Sequence, residues 1–160
     1  MSVTLLIISG MCDMVDGFVA KKLKRTYLEK QFGIQLDTVV DVISFGITPV
    51  IIVFSTVRTT WYALLVYVFY VICAAIRLAY FNTTAAPDKP TIFYRGLPVT
   101  CIALILPVVL LFQSVRVSIV TFATVAILYI LNIKMPKPRG VWYIVFLVIA
   151  AALITLWWCI

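Results

Sequence analysis

Long apolar runs alternate with short polar interruptions along this chain, and the runs have the length of membrane-crossing helices. A helix rises about 1.5 Å per residue, so about 20 residues cross a hydrocarbon core of about 30 Å. Six runs qualify: roughly 2–22, 33–57, 60–81, 96–114, 117–133 and 141–160. Between them lie a basic loop at 21–31, an Arg58-Thr59-Thr60 turn and a Pro87-Asp88-Lys89-Pro90 loop. A tight turn at Gln113–Arg116 and another at Pro136–Gly140 complete the set. The pattern predicts an all-α, polytopic transmembrane helix bundle of about six spans, with residues 1–160 forming one membrane domain.

Composition strengthens that expectation. Hydrophobic residues make up 64% of the chain and charged ones 12%, with a mean hydropathy of +1.16; ordinary globular domains carry about a quarter charged residues. The positive charges are distributed unevenly. Alternate ends of the runs collect Lys21, Lys22, Lys24, Arg25 and Lys30, then Arg77, Lys89 and Arg95, then Lys134, Lys137 and Arg139; the opposite ends hold only Arg58 and Arg116. Eleven against two places the rich side in the cytoplasm by the positive-inside rule. The net charge of +7 is this same bias, so the lipid bilayer is the expected partner and nucleic acid is not. A multi-pass cell-membrane protein is expected, with its active site towards the cytoplasm.

Candidate chemistry is narrowed by what is missing. Histidine is absent, which removes the commonest general base and transition-metal ligand. The four cysteines, Cys12, Cys73, Cys101 and Cys159, lie in apolar runs without a CxxC spacing, which favours buried small hydrophobes over zinc or redox chemistry. Acids remain. Four of the six acidic residues form two pairs at or inside apolar runs, Asp13 with Asp16 and Asp37 with Asp41. A carboxylate at the bilayer centre costs about 2.5–3.5 kcal/mol on insertion scales, and four together repel one another unless protonated or bridged by cations. Spacings of three and four residues put each pair on one helix face, and both pairs fall towards the cytoplasmic side. Hard oxygen donors from two facing helices suit one or two Mg²⁺ or Mn²⁺ ions.

In order, these residues read Asp13-x2-Asp16-Gly17-x2-Ala20-Lys21, eleven residues, then Gly33-x3-Asp37-x3-Asp41. The segment 13–41 resembles the signature of the CDP-alcohol phosphatidyltransferase family, with Lys21 where that family usually has arginine. The resemblance implies that Asp13, Asp16, Asp37 and Asp41 bind divalent metal, Mg²⁺ or Mn²⁺ and two ions in all. It also implies that Asp41 is the base that takes the proton from the attacking hydroxyl. Gly17, Lys21 and Gly33 would contact the CDP moiety: a glycine leaves no side chain where a nucleotide must approach, and a lysine supplies a point charge without arginine's bidentate fork. Family members usually carry a membrane helix ahead of the first two aspartates, so a shortened N-terminus is expected here.

Three further stretches are similar to those of membrane-embedded phosphatidylserine synthases within that family: Ser44-Phe45-Gly46-Ile47-Thr48-Pro49, Arg77-Leu78-Ala79-Tyr80-Phe81-Asn82 and Phe93-Tyr94-Arg95-Gly96-Leu97-Pro98. The implied reaction transfers a phosphatidyl group from CDP-diacylglycerol to L-serine and releases CMP. Serine carries a carboxylate, and Arg77, Asn82 and Arg95 on the same side are the candidates to bind it or a phosphate. Simpler roles stand beside these: snorkelling to headgroups for Arg77, topological charge for Arg95, and a helix C-cap for Asn82. Pro49, Pro98 and Pro107 read as kink or helix-start residues. Sibling enzymes using glycerol phosphate or inositol phosphate are the alternative within the family, although phosphorylated acceptors should want more clustered arginines. A membrane cation transporter is the alternative of another class, and an inactive homologue acting as a dimer partner is a third. A homodimer is expected for the enzyme.

Overall fold

The computed structural model describes residues 1–20, 26–84, 93–95, 97–131, 134–136 and 141–159, with backbone alone at 14, 16–20, 84, 93–95, 134–136, 141–144 and 159. These residues form six helical segments and one small ribbon. Helix α1 is Ser2–Ala20. Helix α2, Tyr27–Asp41, continues through a π-helical stretch, Val42–Ile47, into α3, Thr48–Thr56. Helix α4 is Trp61–Thr84. A 3-10 turn at Val99–Cys101 leads into α5, Ile102–Leu111, followed by α6, Val115–Ile130, and α7, Val141–Cys159. Strands β1, Phe93–Arg95, and β2, Lys134–Pro136, pair antiparallel with Arg95 opposite Lys134.

The helical content agrees with the apolar pattern, and the boundaries differ where local chemistry decides them. The second helix starts at Tyr27 rather than 33 because Thr26 caps it. The Thr26 N–H donates to Glu29 Oε2 at 2.8 Å, and Glu29 N–H donates back to Thr26 Oγ1 at 3.4 Å. This reciprocal box satisfies two of the donors that a helix start leaves open, so the basic interruption expected at 21–31 ends by Thr26. The fourth helical segment is shorter than 96–114. It follows extended Pro98 and gives out before Gln113, whose φ of 48° is left-handed; α6 then starts at Val115, ahead of the expected end of the turn. The ribbon is an addition to the all-helical expectation, joining segments about 40 residues apart.

The π-helical stretch has a chemical cause in Pro49. In a regular α-helix its N–H would meet the Phe45 carbonyl, but proline has no N–H and its ring clashes with that carbonyl. The chain widens one turn instead. Thr48 N–H bonds the Ile43 carbonyl five residues back, and Thr48 Oγ1 donates to the same oxygen at 2.9 Å, the pattern of a π-bulge. The Phe45 carbonyl accepts a hydrogen bond from the Tyr70 hydroxyl on α4.

The most extensive helix contact is α4 on α6. Tyr67 and Tyr70 of α4 pack on Phe122 of α6 with ring centroids 5.0 and 4.7 Å apart, in tilted and edge-on geometry. Helix α1 lies against α5 and α7, and Gly10 permits the approach to α5, since a Cβ there would stand 3.1 Å from Ala103 Cβ. The outer faces keep large apolar side chains exposed, among them Ile51, Phe54, Leu65, Ile72, Ile76, Val120 and Ile127. Two helical stretches, Tyr27–Thr56 and Trp61–Thr83, are long and apolar enough to cross a membrane, and four shorter apolar helices accompany them. Apolar surface on this scale marks contact with lipid or protein rather than water, and with the two long helices it points to a membrane protein.

Candidate metal and nucleotide site

Asp13 stands on α1, and Asp37 and Asp41 on α2, one turn apart. One carboxylate oxygen from each lies within 4.8 Å of the other two. Asp37 is exposed, Asp13 half-buried, and Asp41 is only 9% exposed. Two like charges at that separation repel by about 3 kcal/mol at an effective dielectric near 20, less where Asp37 meets water. A cation removes this cost. An octahedral ion with oxygen ligands at about 2.1 Å holds opposite ligands about 4.2 Å apart, so small side-chain rotations bring the three oxygens onto one ion. The donor set is all carboxylate, which suits Mg²⁺ or Mn²⁺. The residues present fit the metal that the sequence implies.

The remaining residues singled out in the sequence fall into three groups. Gly33 stands on α2 one turn before Asp37, half-buried, which keeps the face ahead of the acids free of a side chain. The backbone of Asp16 and Gly17 continues α1 towards its C-terminal end, while Lys21 lies outside the described residues. Arg95 is in β1, with its backbone in register with Lys134. Arg77 is buried in α4 at 9% exposure, its guanidinium carbon 6.0 Å from the centre of the Phe81 ring. That burial overturns the snorkelling reading, because the side chain is enclosed by protein rather than extended to a headgroup layer. Asn82 lies inside α4 rather than capping it, and its Nδ2 donates to Thr38 Oγ1 on α2. Thr38 sits between Asp37 and Asp41, so Asn82 reaches the acidic site through this residue.

Two contributors were not singled out by sequence reasoning, Thr38 and Tyr70. For Tyr70 a signal existed in Pro49: a proline inside a helical run leaves the carbonyl four residues back without a donor, and a buried carbonyl needs one. Which residue answers that need depends on tertiary packing.

The CDP-alcohol phosphatidyltransferase family pattern matches residues 1–158, and the chain belongs to that family. The family uses divalent cations, in keeping with the acidic group described above. Among its relatives, CDP-diacylglycerol–serine O-phosphatidyltransferase of Saccharomyces cerevisiae is 38% identical over 108 residues, covering 62% of this chain and 38% of the yeast protein. The protein of that name from Methanocaldococcus jannaschii is 30% identical over 149 residues, 92% of this chain and 70% of the relative. Archaetidylserine synthase of Methanothermobacter thermautotrophicus is 31% identical over 139 residues, 85% of this chain and 58% of the relative.

Proposed function

We propose that this chain transfers the phospholipid phosphoryl group of a CDP-linked lipid to L-serine, releasing CMP. The observation that carries the reading is the convergence of Asp13, Asp37 and Asp41 within 4.8 Å from two helices joined by one connection. Relatives named for serine transfer, with either diacylglycerol or archaetidyl lipids, support the choice of acceptor.

In this reading Asp13, Asp16, Asp37 and Asp41 hold two Mg²⁺ or Mn²⁺ ions, which when bound offset charge on the pyrophosphate and on the departing CMP. The backbone at Gly17 and Gly33 admits the cytidine diphosphate, and Lys21 pairs with a phosphate. The serine hydroxyl oxygen attacks the lipid-side phosphorus, forming a new P–O bond as the P–O bond of the pyrophosphate bridge breaks. The bonding electrons leave with CMP. Asp41 accepts the hydroxyl proton, for which it must come within hydrogen-bond reach of that oxygen. Arg77 and Arg95 are assigned to the serine carboxylate; Asn82 is bonded to Thr38 and is given no substrate contact. The six helical segments cross the bilayer, with the acidic ends of α1 and α2 at the cytoplasmic face, where soluble L-serine meets the headgroup of the lipid donor.

The purified chain, supplied with Mn²⁺ and either CDP-diacylglycerol or its archaeal ether counterpart, is expected to release CMP with L-serine. Glycerol phosphate and inositol phosphate should give no more than the rate without acceptor. Turnover with a phosphorylated alcohol and none with serine would reassign the acceptor while leaving the metal site in place.

A further inference from the structure

Helix α4 holds the helix bearing Asp41 at two points, one on each side of that residue. On the N-terminal side, Asn82 Nδ2 donates to Thr38 Oγ1, whose own proton goes to the Ile34 carbonyl at 2.8 Å. On the C-terminal side, the Tyr70 hydroxyl donates to the Phe45 carbonyl. Thr38 precedes Asp41 by three residues and Phe45 follows it by four, about one helical turn each way.

The second contact follows from Pro49. The Phe45 carbonyl is available because Pro49 cannot donate to it. Tyr70 is fully buried, with its ring 4.7 Å from that of Phe122, so the hydroxyl is aimed by a fixed ring. Its single proton goes to Phe45; the Tyr129 hydroxyl, 3.5 Å away, gives its own to the Val99 carbonyl at 3.2 Å. The wide turn that results has a geometric consequence. A π-bulge acts as one residue inserted into an α-helix, and one residue is about 100° of rotation. Closing the turn would therefore swing Asp37 and Asp41 around the helix axis relative to α3. Helix α3 packs on α1, which carries Asp13, so the turn sets the angle at which the three carboxylates meet.

We propose that Tyr70 and Asn82 are positioning residues of the carboxylate site, fixing the rotation of α2 that brings Asp37 and Asp41 to Asp13. This rests on reading those carboxylates as a metal site. The two residues touch neither metal nor substrate; they act through the Phe45 carbonyl and through Thr38.

The test uses the full chain in lipid nanodiscs with Mn²⁺ as the probe. Tyr70→Phe keeps the ring beside Phe122 and removes only the hydroxyl, and Asn82→Leu removes the amide at similar volume. Tyr67→Phe is the reference, since the Tyr67 hydroxyl bonds Ser118 on α6 at 2.7 Å and lies away from the wide turn. Both test variants should weaken Mn²⁺ binding, read from the free-ion electron paramagnetic resonance signal, by about tenfold, the low end of outer-shell effects at metal sites. The Mn²⁺ concentration for half-maximal CMP release should rise in step, with much of the rate recovered at saturating Mn²⁺. Amide exchange across residues 38–48 should accelerate, and Tyr67→Phe should leave all three readouts near wild type. Equal Mn²⁺ affinity in Tyr70→Phe and Tyr67→Phe overturns the positioning role. A wild-type chain that binds no Mn²⁺ overturns the metal-site reading instead. Exchange across 38–48 then still decides the clamp, which falls if neither variant changes it. Should Asn82→Leu fail to fold, Thr38→Val removes the same bond from the other partner and is expected to act alike.

Discussion

Asp41 is the most buried of the three converging carboxylates, and in the proposed reaction it is the one asked both to hold metal and to accept a proton. Those roles separate on substitution. Asn keeps the size and one oxygen donor, so Asp41→Asn should leave most Mn²⁺ binding in place through Asp13 and Asp37. It cannot take the serine proton, and CMP release should fall by about 10²–10⁴, the usual contribution of a general base. A variant within tenfold of the wild-type rate would remove Asp41 from that role. The aspartates were legible in the sequence because their spacing is local: three or four residues on one helix define a face before any packing is known. Thr38 and Tyr70 were not, since each matters only through a partner 25 to 44 residues away. Arg77 was legible as a charge in an apolar run, but only the packed helices show that it is enclosed.

At the level of elements, apolar length placed the helices and side-chain chemistry set their ends. The box of Thr26 and Glu29 is a readable sequence signal that extends α2 by about two turns, whereas the ribbon of β1 and β2 has no local cause and could be found only by folding the chain. Glycines show a similar division. Gly10 and Gly46 are both buried in helical runs, and the apolar pattern around them does not tell their packing apart. A methyl on Gly10 meets Ala103 Cβ at 3.1 Å, whereas one on Gly46 meets nothing nearer than 3.8 Å. Gly10→Ala should push α1 from α5 and lower stability by about 1–3 kcal/mol, the usual penalty of overpacking. The movement also reaches Asp13, one turn further along α1, so Mn²⁺ affinity should fall with it. Gly46→Ala should be neutral or stabilising by up to about 1 kcal/mol, because alanine is the better helix former. Thermal unfolding in a single detergent checks both, and a Gly46 variant less stable than the Gly10 variant would contradict this packing.

For the whole molecule, the charge count and the packing of the described residues group the same helix ends by independent routes. Eleven of thirteen basic residues fall at alternate ends of the apolar runs, a statement about sequence order alone. The packing joins those ends in space. Asp13, Asp37 and Asp41 bring the C-terminal half of α1 level with the N-terminal half of α2, and the bond from Asn82 to Thr38 brings the last turns of α4 to the same level. Pairing of β1 with β2 then ties the connection after α4 to the one after α6. Among the described residues, Lys30, Arg77, Arg95 and Lys134 thus fall towards the end of the bundle that holds the acidic site, and Arg58 and Arg116 belong to the other, where the Tyr67–Ser118 bond joins the starts of α4 and α6. If that end faces the cytoplasm, single cysteines introduced into a chain lacking its four native ones should divide cleanly. A membrane-impermeant maleimide added to intact cells should label Arg58→Cys and Arg116→Cys, and should label Lys24→Cys and Lys137→Cys only after the membrane is opened. Labelling of Lys24→Cys and Lys137→Cys in intact cells would invert the orientation and put the carboxylates on the face away from cytoplasmic serine. Labelling that separates Lys24→Cys from Lys137→Cys would instead mean that a helix between them does not cross.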